Sequence, residues 1–158
     1  MSHTMATRGR LAQVLLVEDS DDDAELLKIG LAQAGFTGQM HHVTDGIECL
    51  AFLRKQGAFA GAPMPDLILL DMNLPRMSGL ETLAQIVSDE HLRHLPVLVL
   101  SSSTLDSDLL AAYRLRCSTY IVKPVDFADF TKSIRLLIDY WFTLAALPPE
   151  SVAPHSAP

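Results

Sequence analysis

Short aliphatic runs without polar alternation recur along this chain, separated by longer stretches with helical spacing. Val14-Leu15-Leu16-Val17, Leu67-Ile68-Leu69-Leu70 and Val97-Leu98-Val99-Leu100 are unbroken runs of Val, Leu and Ile. Runs this short, with no polar face, suit strands covered on both sides, as in a parallel sheet between helical layers. Gln39–Val43 and Thr119–Val122 read as two further strands, the first partly polar and therefore placed at a sheet edge. Between them the spacing predicts helices. Residues 23–34 put Ala24, Leu27, Leu31 and Ala34 on one face, with Gly35 to stop the helix. Residues 47–55 put Ile47, Leu50 and Ala51 inward. A capping box, Ser78-x-x-Glu81, opens a helix to residue 87, and residues 106–116 form another. Asp126 caps a last, extended helix reaching residue 146. Its core face is Phe130, Ile134, Leu137, Ile138 and Trp141, which leaves Leu136, Tyr140 and Phe142 for other faces. Five alternating strand–helix units predict an α/β fold, a doubly wound five-stranded parallel sheet with right-handed crossovers. Residues 57–65 read as a flexible loop. Residues 1–11 read as a disordered leader, 12–147 as one domain and 148–158 as a disordered tail of small residues and proline.

Composition narrows the function. A chain of 158 residues with 49% hydrophobic residues can bury a core of its own. Nineteen acidic against twelve basic residues give 12 − 19 = −7, so neither nucleic acid nor an anionic membrane surface is the expected partner. No apolar run approaches the roughly 20 residues that span a bilayer, and no apolar core follows Arg8 and Arg10 as a signal peptide requires. Cys49 and Cys117 have no metal-ligand spacing and read as reduced thiols of a cytoplasmic protein. His41 and His42 are adjacent on a strand, face opposite sides, and are poorly placed to share a metal.

The chemistry lies where the strands end. Asp71 follows the Leu67–Leu70 run, and Glu18 and Asp19 follow Val14–Val17. Ser101 follows Val97–Leu100, and Lys123-Pro124 follows Thr119–Val122. Asp71 taken alone is equally a turn residue serving backbone donors or a reacting group. In a parallel sheet, however, all these ends share one rim, where open α/β sheets place their ligands. Converging carboxylates of Glu18, Asp19 and Asp71 repel one another, and a divalent cation relieves that conflict. Mg²⁺ fits, because it takes one or two carboxylates and keeps positions for other oxygens, to which the Asn73 backbone carbonyl can add. A carboxylate can also be a nucleophile towards phosphorus, a reaction that needs positioning and charge neutralisation. Lys123 supplies a point charge for this, aimed by the extended geometry before Pro124, and Ser101 a hydrogen bond to a phosphoryl oxygen.

At these residues the sequence resembles the receiver domain of two-component response regulators over about residues 12–143. The acidic pair, the aspartate, the hydroxyl residue and Lys-Pro stand in the family's order, and Asp71-Met72-Asn73-Leu74-Pro75 with Ser78-Gly79 matches its loop, although an acid is more usual at Ser78. The resemblance implies strand order 2-1-3-4-5, flavodoxin-like. It implies Asp71 as phosphoacceptor, Ser101 and Lys123 in the same reaction, and Tyr120 as an aromatic switch that turns inward when Ser101 moves to the phosphoryl group. Glu18-Asp19-Ser20, His41-His42-Val43, the loop before Pro65-Asp66, Asp139-Tyr140-Trp141-Phe142 and Leu147-Pro148 resemble, more narrowly, the single-domain regulators paired with bacterial phytochrome histidine kinases. With nothing after residue 147 to form an effector domain, output through a protein surface is expected. An apolar last helix, together with the family's habit of dimerising through the fourth helix, fifth strand and fifth helix, leads to an expected homodimer. Two other readings stand beside this one. A haloacid-dehalogenase-type phosphatase needs an aspartate two residues after the nucleophile, where this chain has Asn73. A scaffold that is never phosphorylated has no use for an intact rim.

Overall fold

A computed structural model describes residues 6–7 and 10–149. The main sheet comprises β1 (Gln13–Val17), β2 (Gln39–Val43), β3 (Leu67–Asp71), β4 (Val97–Ser101) and β5 (Thr119–Val122). All neighbours are parallel, and the order is 2-1-3-4-5, so β3 is central. The helices are α1 (Asp21–Gln33), α2 (Gly46–Leu53), α3 (Gly79–Ser88), α4 (Asp106–Arg114) and α5 (Phe127–Asp139).

The unbroken apolar runs have the cause expected of them. Every residue of β1, β3 and β4 is buried. Alternate side chains enter opposite cores. Leu15, Val17, Ile68, Leu70 and Val99 pack with Phe52, Leu83, Ile86 and Ala112 on the α2–α3–α4 side. Val14, Leu16, Leu69, Leu98 and Leu100 pack with Leu27, Leu31, Ile134 and Ile138 on the α1–α5 side. Truncating one such leucine to alanine costs about 2–5 kcal/mol. Helix starts are set by side chains that accept otherwise unpaired backbone N–H groups. Ser20 accepts from Asp23, Asp45 from Glu48, Ser78 from Glu81, and Asp126 from Ala128 and Asp129.

Several expectations need correction. Ala6–Thr7 pairs antiparallel with Arg10–Leu11, and Arg10 places two nitrogens on Asp66 at 3.0 and 2.7 Å, so part of the predicted leader is ordered by contacts that leave no periodic signature. The rest of that leader, residues 1–5 and 8–9, and residues 150–158 of the predicted tail lie outside the described residues. Ile47 is exposed, and the inward face of α2 is Cys49, Leu50, Phe52 and Leu53. The helix takes this phase because Gly46 seats its first turn against Met77 and Thr82. Within 57–65, Gly57–Phe59 forms a 3₁₀ turn whose Phe59 ring lies 5.4 Å from Phe52. The last helix does not remain α to residue 146. After Asp139 it widens into a π turn, Tyr140–Leu144. A π turn carries one more residue than an α turn, which rotates the face. Phe142 therefore packs on the core, its ring 5.5 Å from Phe36, while Leu136 and Tyr140 stay exposed.

Gly79 is required by a close approach. A Cβ there would meet the Asp71 carbonyl oxygen and the Met72 Cα, and its N–H donates to the Met72 carbonyl at 3.0 Å. Gly79→Ala is expected to destabilise by about 1–3 kcal/mol through overpacking. A denaturant midpoint that moves down at unchanged slope checks this.

Candidate functional site: the acidic rim at the carboxyl end of the sheet

β3 carries Asp71 to the rim between β1 and β4, buried except for its tip. The turn after β1 brings Glu18, buried, and Asp19, exposed, beside it. One carboxylate oxygen from each of Glu18, Asp19 and Asp71 lies within 4.8 Å of the others. From the end of β5, Lys123 Nζ reaches in to 3.6 Å from Glu18, 3.7 Å from Asp71 and 3.7 Å from Asp23. One ammonium thus faces three acids, at distances longer than a good charge-assisted hydrogen bond.

The charge conflict is visible at Glu18. Burial, then the hydrogen bond and repulsion from Asp71, push its carboxyl from the ordinary 4.5 up to about 9, against the pull of Lys123. A buried carboxyl group that ionises this reluctantly, with two other carboxylate oxygens within reach, fits a hard divalent cation. The Glu18 backbone is pinned on both sides. Its N–H donates to the Val43 carbonyl at 3.0 Å, and His42 Nε2–H donates to the Glu18 carbonyl at 2.7 Å.

Ser101 is buried, and its Oγ accepts from the Ser103 N–H at 3.1 Å. Tyr120 lies inward on the α4 side and donates its hydroxyl to the Ser103 carbonyl at 3.0 Å. Ser103 therefore links the two residues singled out at the ends of β4 and β5. Asn73 is exposed in the loop after Asp71. The structure brings Glu18, Asp19, Asp71 and Lys123 together. Ser101 adjoins them, its carbonyl accepting the Lys123 N–H at 2.8 Å, while Tyr120 packs away in the core on the α4 side. His41 Nε2 lies 2.7 Å from Gln13 Oε1, so the two histidines have separate partners. Cys49 and Cys117 are buried, and burial raises the Cys49 thiol to about 12, too high for a nucleophile.

Three features of the site are not evident from the sequence. Asp23 reads there as a helix-capping acid, but it also stands one turn past the acidic pair and so reaches Lys123. Arg76, in the loop after Asp71, is ion-paired to Asp45 at 2.7 Å. A cavity of about 230 Å³ opens from the rim between α1 and α5, with apolar walls that include Leu26, Leu27, Leu100 and Phe130.

Residues 14–135 match the response regulator receiver domain family, and the chain belongs to it. Among its relatives, response regulator Rcp1 of Synechocystis sp. is 36% identical over 135 residues, covering 85% of this chain and 92% of that protein. The crystal structure of the phosphorylated cyanobacterial phytochrome response regulator RcpA superposes with a TM-score of 0.84 at 37% identity, covering 88% of this chain and 99% of that one. The Mn²⁺-bound form of Rcp1 superposes with a TM-score of 0.79 at 35% identity, covering 87% and 99%. The five-stranded order is thus that of receiver structures, and the chain is similar to phytochrome response regulators in particular. No helix among the described residues is long and apolar enough to cross a membrane.

Proposed function

We propose that this chain is a cytoplasmic phosphoacceptor in two-component signalling, receiving a phosphoryl group on Asp71 from a sensor histidine kinase of the phytochrome type. An Asp71 carboxylate oxygen attacks phosphorus, the bond from phosphorus to the kinase histidine nitrogen breaks, and the imidazole leaves with its electron pair. The product is an acyl phosphate. The observation that carries this reading is Asp71 at the end of the central strand, with Lys123 Nζ at 3.7 Å and the Glu18 and Asp19 oxygens beside it. Glu18, Asp19, Asp71 and the Asn73 carbonyl are the groups that would hold Mg²⁺, which supplies positive charge for phosphoryl oxygens. Lys123 adds a second positive charge and Ser101 a hydrogen bond. The chain catalyses no turnover beyond its own phosphorylation and dephosphorylation. Similarity to phytochrome regulators supports the kinase type.

Ser101 and Tyr120 form the switch, coupled through Ser103, so phosphorylation shifts a population between two arrangements of the loop before α4. Output passes through protein contacts. Exposed Leu110 and Tyr113 on α4, Val122 on β5 and Leu136 on α5 form the surface of a homodimer. Leu110→Glu is expected to raise the dimer dissociation constant at least tenfold, read by sedimentation across concentrations. A wild-type chain that sediments as a monomer throughout removes the dimer from this reading.

Intact mass after incubation with a small phosphodonor, with Mg²⁺ or with chelator, tests the central step. A single metal-dependent phosphoryl increment is expected. Metal binding without an increment favours the scaffold reading. Sustained turnover of a phosphate ester favours the phosphatase, against which Asn73 stands in place of the general acid.

A further inference from the structure

The loop from Met72 to Ser78 carries the Asn73 carbonyl and continues directly from Asp71. Its two ends are held by β3 and by the Gly79 N–H on the Met72 carbonyl. Between those ends stands Arg76, whose φ of +62° is costly for a residue with a Cβ. From that backbone its Nε and Nη2 both reach one oxygen of Asp45, at 2.8 and 2.7 Å. Asp45 is buried, and its other oxygen accepts the Glu48 N–H at 2.8 Å, which caps α2. The neighbouring Met77 packs where Gly46 leaves no room for a side chain. A strained residue held by a buried, doubly engaged carboxylate is a built junction, and an exposed arginine contributes little to stability by pairing alone.

We propose that the Arg76–Asp45 ion pair positions the loop after Asp71 so that the Asn73 carbonyl and the Asp71 carboxylate bind a divalent cation together. Arg76 and Asp45 are positioning residues: they touch neither cation nor phosphoryl group. The inference rests on the reading of the acidic rim as a Mg²⁺ site. Groups that hold metal ligands in place change affinity by about 10–100-fold when removed.

Charge alone makes the opposite forecast for one of two substitutions. Arg76→Ala makes the protein more negative and would strengthen cation binding through the overall field. Asp45→Asn makes it less negative and retains a good helix cap. Positioning requires both to weaken binding, and requires the double variant to be no weaker than the worse single one.

The test is calorimetric titration of the full chain with MgCl₂, alongside thermal unfolding of each variant without metal. Arg76→Ala and Asp45→Asn are each expected to weaken Mg²⁺ binding about tenfold, with melting temperatures near wild type. Arg76→Lys should recover most of the loss. Arg54→Ala, which breaks the remote pair with Asp89, should bind Mg²⁺ as wild type does. The proposal is overturned if Arg76→Ala and Asp45→Asn bind Mg²⁺ normally, if they shift affinity in opposite directions, or if affinity falls only in step with melting temperature. Wild-type protein that binds no Mg²⁺ would instead overturn the rim reading, and the proposal with it.

Discussion

Asp71→Asn is expected to take up no phosphoryl group and yet to melt at or above the wild-type temperature. The two halves have separate causes. An amide oxygen is too poor a nucleophile to form the acyl phosphate, so the increment seen in wild-type protein should vanish from the mass spectrum. Stability moves the other way because Asp71 is a source of strain in the metal-free rim. Its buried charge has Lys123 Nζ at 3.7 Å, a cation shared with Glu18 and Asp23, and a carboxamide in its place would keep the size and hydrogen-bonding capacity of the side chain without the charge. A gain of the order of 1 kcal/mol is expected from replacing a poorly paired buried charge by a neutral group. Asp71→Ala, which leaves a gap beside Gly79, should lose both uptake and stability. Labelling of Asp71→Asn at the wild-type level would place the acceptor on another residue. A marked fall in its melting temperature would mean that Asp71 serves the fold through its charge.

The sheet and most of the rim were legible because each depends on local sequence. Leu67-Ile68-Leu69-Leu70 has no polar face, so it must be covered on both sides, and the next residue must emerge at the edge of the sheet. The same logic delivers Glu18 after β1 and Lys123 after β5. Helix starts were legible where Ser or Asp precedes a helical pattern, as at Ser78 and Asp126. What stayed hidden depends on distance in the chain or on a change of helical pitch. Arg76 and Asp45 are 31 positions apart, and nothing at either marks the other. Phe142 follows Ile138 by four residues and so stands at the margin of the core face, and the π turn after Asp139 changes the pitch that carries it to Phe36. Asp23 fits a helix N-terminus so well that its second contact, with Lys123, left no separate signal.

Mg²⁺ should stabilise this chain, and more strongly as pH rises. Glu18 is an acid whose folded value, about 9, lies above its ordinary 4.5. Between those limits the folded protein holds a proton that the unfolded chain releases, so metal-free stability falls as pH rises through that window. A cation reverses the balance. It requires ionised ligands and displaces the proton, so its affinity grows over the same window. At about a hundred times the dissociation constant, binding adds about 2.7 kcal/mol, or roughly 5–10 °C for a domain of this size. Melting curves between about pH 6 and about pH 9 should therefore descend with chelator present and flatten with saturating Mg²⁺. Glu18→Gln should remove both the metal-free descent and most of the Mg²⁺ shift, because it abolishes the titrating group and one ligand together. Identical curves with and without Mg²⁺ at every pH would mean that the carboxylates of Glu18, Asp19 and Asp71, close as they are, are held by Lys123 alone and serve no cation. The phosphoryl chemistry of Asp71 would then have to proceed on the charge of that single lysine, which at 3.7 Å is already shared with Glu18 and Asp23.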